Sequence, residues 1–145
     1  DLDMRECVTR HLNVHGFHTH AAKFGELALY GSDFAAIREI LDGEEGMDEV
    51  VHPRLAVRRG EVAWAAREEM ARTVDDVLAR RTRALILDAR AAIEAAPAVA
   101  RILAGELGRD GDWVKAQVDA FVQSARGYLP RGQAPEGSSA AGAGS

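Results

Sequence analysis

Between residues 32 and 125 apolar side chains return every three to four positions, in segments that open at Ser, Thr or Asp and break at Gly or Pro. That period puts the apolar residues on one face of a helix, whereas a half-buried strand needs strict alternation. Residues 19–30 (THAAKFGELALY) read as a first helix that stops at Gly31. Ser32 is the expected N-cap of the next, with Asp33 in its first turn and Phe34, Ile37 and Leu41 on one face. Residues 42–49 hold five acids and two glycines and read as a solvated loop. Val50 to Arg58, interrupted by Pro53, reads as extended or irregular.

The second half repeats the pattern. GEVAWAAREEM (60–70) is a helix whose Val62, Ala66 and Met70 share a face, with Arg67 and Glu68 or Glu69 toward water. Thr73 and Asp76 form a capping box with Asp in place of the usual Glu, and open a helix over 74–81. RALIL (83–87) alone has the look of a strand, and a short apolar run does not decide its type. Asp88 caps DARAAIEA, Pro97 marks the first turn of a new helix through Leu107, and Gly108 ends it. Asp112 is the expected cap of the last helix, with Val114, Val118, Phe121, Val122 and Ala125 as its buried stripe. The fold class is therefore all-α, a compact bundle of about six helices in residues 1–129. Residues 130–145 lack any large apolar side chain and read as a flexible Gly/Ser/Ala/Pro tail.

Composition narrows the function classes. A chain of 145 residues fits one domain, and 47% hydrophobic residues exclude disorder over the whole chain. No apolar run is long enough to span a bilayer, and no signal peptide is evident. A pI near 5.5 speaks against a nucleic-acid partner. The lone Cys7 has no internal disulfide partner and suits a reducing, cytoplasmic setting. The chain begins at Asp1 rather than Met, as a fragment or processed product would.

Few residues suggest chemistry. His11 and His15 lie four apart, so a helix would aim both imidazoles one way, toward a zinc. Gly16 interrupts that helix and HExxH is absent, so structural histidines are the favoured reading. Cys7 with His11 is a nucleophilic pair without a third, orienting group. Arginines crowd residues 54–83, as a phosphate-binding surface would require. Interleaved Glu61, Glu68, Glu69, Asp75 and Asp76 favour ion pairs instead. GxGxxG, GxxxxGK[ST] and GxSxG are all missing, so the usual nucleotide cradle and nucleophile elbow are absent. The residues by themselves support a helical domain and no self-contained enzyme.

The stretch 67–108, and EMARTVDDVLARRTR (69–83) most specifically, resembles the C-terminal domain of FAD-dependent, respiratory glycerol-3-phosphate dehydrogenases. CVTRHLNVHGFHTHAAKFGELALYGSD (7–33) and HPRLAVRRGEVAWAAREEM (52–70) are similar to other parts of that domain, with Glu68 where members often have His. The resemblance runs from about residue 7 to residue 129. It implies an enzyme that oxidises sn-glycerol 3-phosphate to dihydroxyacetone phosphate through FAD and passes electrons to a quinone. That enzyme would lie at the inner, cytoplasmic face of the cell membrane as a peripheral protein. Its FAD and substrate sites belong to an N-terminal portion outside this chain, so neither catalytic nor cofactor-binding residues are expected here.

The resemblance implies that the domain packs on the FAD portion, with Asp75, Asp76, Arg80, Arg81 and Arg83 as capping and interdomain ion-pair residues. The competing expectation places Arg80, Arg81 or Arg83 beside the substrate phosphate or the membrane. A homo-oligomer is a further expectation. The alternative to an enzyme part is a free-standing helical interaction or regulatory module.

Overall fold

The computed structural model describes residue 9, residues 12–14 and residues 16–130. Cys7, His11, His15 and residues 131–145 of the expected tail lie outside the described residues. The chain divides after Asp48 into two compact units.

In the first unit, the expected helix over 19–30 is instead a 3-10 stretch, Ala21–Asp33, broken where Gly25 and Gly31 take positive φ of 59° and 53°. Left-handed backbone at two points prevents a continuous α-helix. Gly31 is required for a second reason, because a Cβ there would collide with the carbonyl of Gly16. Ser32 is not the cap: α1 spans Phe34–Gly43 with Asp33 at its N-cap position, and no side chain caps it. Ile37 and Leu41 are buried as their spacing predicts. Phe24 and Phe34 stack with ring centroids 4.3 Å apart, and His18 lies 4.8 Å from Phe24.

In the second unit, Val50–Arg58 forms an antiparallel hairpin of β1 (Val50–His52) and β2 (Leu55–Arg58), with Val50 paired to Arg58 and His52 to Leu55. Pro53 and Arg54 make the turn, and the fixed φ of Pro53 suits its first central position. Leu55 and Val57 point into the core and Ala56 outward, the alternation of a half-buried strand. Helix α2 (Arg59–Arg67) follows at once, its first turn held by the Arg58 N–H donating to the Glu61 carboxylate at 2.8 Å. Its Val62 and Ala66 are buried, but Met70 is not: the helix ends first, and Met70 stands 76% exposed.

A π-helical turn, Asp76–Arg81, occupies most of the helix expected over 74–81. RALIL is helical rather than extended: Arg83 takes φ 57° and starts the single turn α3 (Ala84–Leu87). Asp88 then caps α4 (Ala89–Leu107), accepting from the Ala91 N–H at 3.0 Å. Pro97 does not open a new helix but sits inside α4, where its missing N–H costs one helical bond that the packing around it offsets. Gly108, with φ 62°, ends α4.

The cap of α5 (Gly111–Ala125) is Asp110, not Asp112; its carboxylate accepts from the Trp113 N–H at 2.9 Å. Phe121 and Ala125 are buried, Val114 and Val118 pack partly, and Val122 stays at the surface of the core. Helix α4 is the centre of this unit. Its buried face is mostly alanine (Ala91, Ala92, Ala95, Ala96, Ala100), which lets α2, α3, α5 and β1 approach closely around Val99 and Leu103. The architecture is all-α apart from the one hairpin.

Candidate functional site

The segment from Glu69 to Arg83 gathers most of the residues marked by the sequence. Past Arg67 the backbone closes in a wide turn, with the Ala71 N–H donating to the Ala65 carbonyl at 2.9 Å. Met70 takes the left-handed conformation usually given to glycine at such an end, and Arg83 does so at the far side. Arg72 turns its guanidinium back and donates to the carbonyls of Ala66 and Ala71 at 2.8 and 3.1 Å. Carbonyls left over at the end of α2 are thereby satisfied.

Thr73 and Asp76 form the reciprocal box expected from their spacing. The Asp76 N–H donates to Thr73 Oγ1 at 3.1 Å, while Thr73 gives its N–H and its hydroxyl to Asp76 Oδ2 at 3.0 and 2.8 Å. The Arg72 N–H donates to the same oxygen at 3.0 Å, and Arg80 Nη1 reaches Asp76 Oδ1 at 2.7 Å. Partial burial pushes the Asp76 carboxyl upward, but the Arg72 N–H, the Thr73 donors and the Arg80 charge outweigh it and hold the group below its ordinary range. Arg80 also reaches Asp75 at 3.2 Å. Across from this cluster, Gln117 of α5 accepts from the Val74 N–H at 3.2 Å. Thr73, Asp75, Asp76, Arg80 and Gln117 thus border an open groove of about 450 Å³ with Phe121 at its base.

The three arginines of the motif diverge. Arg80 belongs to this groove, while Arg81 donates to the Glu69 carbonyl at 2.6 Å and approaches its carboxylate at 3.4 Å. Arg83 is exposed, and its side chain has no ion-pair partner among the described residues. Elsewhere the arginine stretch is spent on pairs: Arg59 with Glu49 at 3.0 Å and Arg67 with Glu106. Arg67 therefore does not simply face water. Its Nε and Nη2 both lie 2.7 Å from the Glu106 carboxylate, a fork that ties α2 to α4.

Sequence reasoning passed over a second polar cluster. His52 accepts the Arg54 N–H on Nδ1 at 3.2 Å, so its Nε2 carries the proton donated to Glu94 at 2.9 Å. Arg54 reaches Asp88 at 3.4 Å, so the hairpin turn is tied to the start of α4. The only signal for this cluster was a histidine beside a proline turn, and its partner lies 42 positions away.

A dinucleotide needs a glycine-rich turn between a strand and a helix. The described residues offer a two-stranded hairpin instead, and its β2 runs into α2 through Arg58 and Arg59, so they do not fit FAD. Among the described residues no three His, Cys, Asp or Glu side chains gather as a metal site. No described helix is long and apolar enough to cross a membrane.

Residues 7–114 match the family model of the C-terminal domain of alpha-glycerophosphate oxidase. Over 69 residues, 48% of this chain, it is 39% identical to the mitochondrial glycerol-3-phosphate dehydrogenase of Schizosaccharomyces pombe. Over 79 residues, 54% of the chain, it is 38% identical to a probable mitochondrial glycerol-3-phosphate dehydrogenase of Caenorhabditis elegans. The matched region spans about a tenth of each relative's length. No solved structure matches the chain.

Proposed function

Because the chain belongs to the family of C-terminal domains of alpha-glycerophosphate oxidase, we propose that it is the helical C-terminal part of an FAD-dependent glycerol-3-phosphate dehydrogenase and supports that enzyme's catalytic portion. The match over residues 7–114 is the observation that carries this reading. The complete enzyme oxidises the C2 hydroxyl of sn-glycerol 3-phosphate to the ketone of dihydroxyacetone phosphate. FAD held by the catalytic portion would supply the two-electron acceptor, with a quinone as the expected final one. In this reading the flavin and substrate sites belong to the preceding portion. The complete enzyme is peripheral, at the cytoplasmic face of the cell membrane. A free-standing regulatory module is the less favoured reading, because both relatives are named as dehydrogenases and this chain corresponds to a small part of each.

Within that enzyme the segment 69–83 acts through structure. Asp76 and Arg80 close the turn after α2, and Arg81 anchors the end of that helix through Glu69. Charge reversal separates this role from one at the substrate phosphate. Arg81→Glu in the full-length enzyme should lower thermal stability and soluble yield while leaving KM for glycerol 3-phosphate unchanged. A raised KM with unaltered stability would place Arg81 beside the substrate instead.

A further inference from the structure

The helix α3 exposes what a surface turn ordinarily hides. Ala84 and Leu85 enter the core, but Ile86 and Leu87 stand 67% and 78% exposed. Tyr128, 56% exposed, and Leu129 complete the other side of an open groove of about 400 Å³, with Arg54 and Asp88 paired at its rim. The backbone contributes to the display. Arg83 occupies left-handed space, which non-glycine residues rarely adopt, and from there the chain turns directly into α3. Ile86, Leu87 and Tyr128 together make a contiguous apolar patch rather than a single exposed side chain.

We propose that the face formed by Ile86, Leu87, Tyr128 and Leu129 is the surface on which the preceding, catalytic portion of the same polypeptide docks. The assignment rests on the reading of this chain as one end of a longer protein, since the region it shares with its relatives makes up about a tenth of their length. A tethered partner is present at high effective concentration, so a small apolar patch with a paired polar rim suffices to hold it. A second copy of the chain lacks that advantage and needs an interface of about 1,200 Å² or more, beyond what four apolar side chains supply.

Thiol labelling of the full-length protein tests this. Leu87→Cys and, as a control on α5, Lys115→Cys are each alkylated under native conditions and in denaturant, and the modified peptides are quantified by mass spectrometry. Both positions are exposed in this chain. Docking predicts that Cys at 87 reacts at least about tenfold more slowly than Cys at 115 once each is normalised to its denatured rate. Equal rates, or equal slowing at both positions, would overturn the proposal. Slowing that disappears on dilution would overturn it in favour of self-association. Glycerol 3-phosphate oxidation by the same preparation is scored separately, so a failure of docking and a failure of the enzymatic reading are distinguishable.

Discussion

Four donors meet the carboxylate of Asp76: the N–H groups of Arg72 and Thr73, the Thr73 hydroxyl and the Arg80 guanidinium. All of them favour the charged form, so folding lowers the pKa of this acid below its ordinary 3.8. Its stabilisation is then fully present above about pH 5 and is lost as pH falls through the lowered folded value. Asp76→Asn should cost about 1–2 kcal/mol near neutrality, in the range of a lost N-cap. In chemical denaturation the gap to the wild type should shrink below about pH 4. A gap that stayed constant to pH 2 would mean that the Asp76 charge contributes nothing. Residue-scale features were legible at Thr73 and Asp76, or Asp88 and Ala91, but at α5 two nearby acids competed and Asp110, not Asp112, is the cap. They were not legible where backbone conformation decided. Nothing in the spacing of Val62, Ala66 and Met70 signals that α2 stops before Met70, because the left-handed residue there is not a glycine.

Helix α4 organises the other elements, and its junctions are polar as well as apolar. Arg67 and Glu106 bind α2 to α4 through two 2.7 Å bonds, with the Glu106 side chain only 17% exposed. Arg59 and Glu49 form a pair of similar length, but their side chains are 43% and 63% exposed. A double-mutant cycle on Arg67→Met and Glu106→Gln should give a coupling of about 1 kcal/mol, against little or none for Arg59 and Glu49. Equal coupling for the two pairs would show that the fork adds nothing beyond an exposed ion pair. Element type was readable along α2, α4 and α5, where the apolar period persists for several turns. It stayed undecided at RALIL, where four apolar residues in a row fit a strand and a single helical turn equally well. At Pro97 the helical type was right and the boundary wrong, because a buried alanine face holds α4 together across the lost hydrogen bond. The π turn at 76–81 has no local signature at all.

For the whole molecule, the pattern of residues made a helical domain legible, and the fold agrees. The rest required comparison. The docking face proposed above could not be read from the sequence, because the exposure of Ile86, Leu87 and Tyr128 appears only once α3 is folded. Flavin content and glycerol 3-phosphate-dependent reduction of a quinone analogue, measured on the full-length protein and on this chain alone, test the proposal that this chain is the supporting end of a flavin dehydrogenase. Bound flavin and turnover are expected in the full-length protein, and neither in this chain. Flavin bound by this chain itself, or a full-length protein that binds flavin but leaves glycerol 3-phosphate unoxidised, would contradict it.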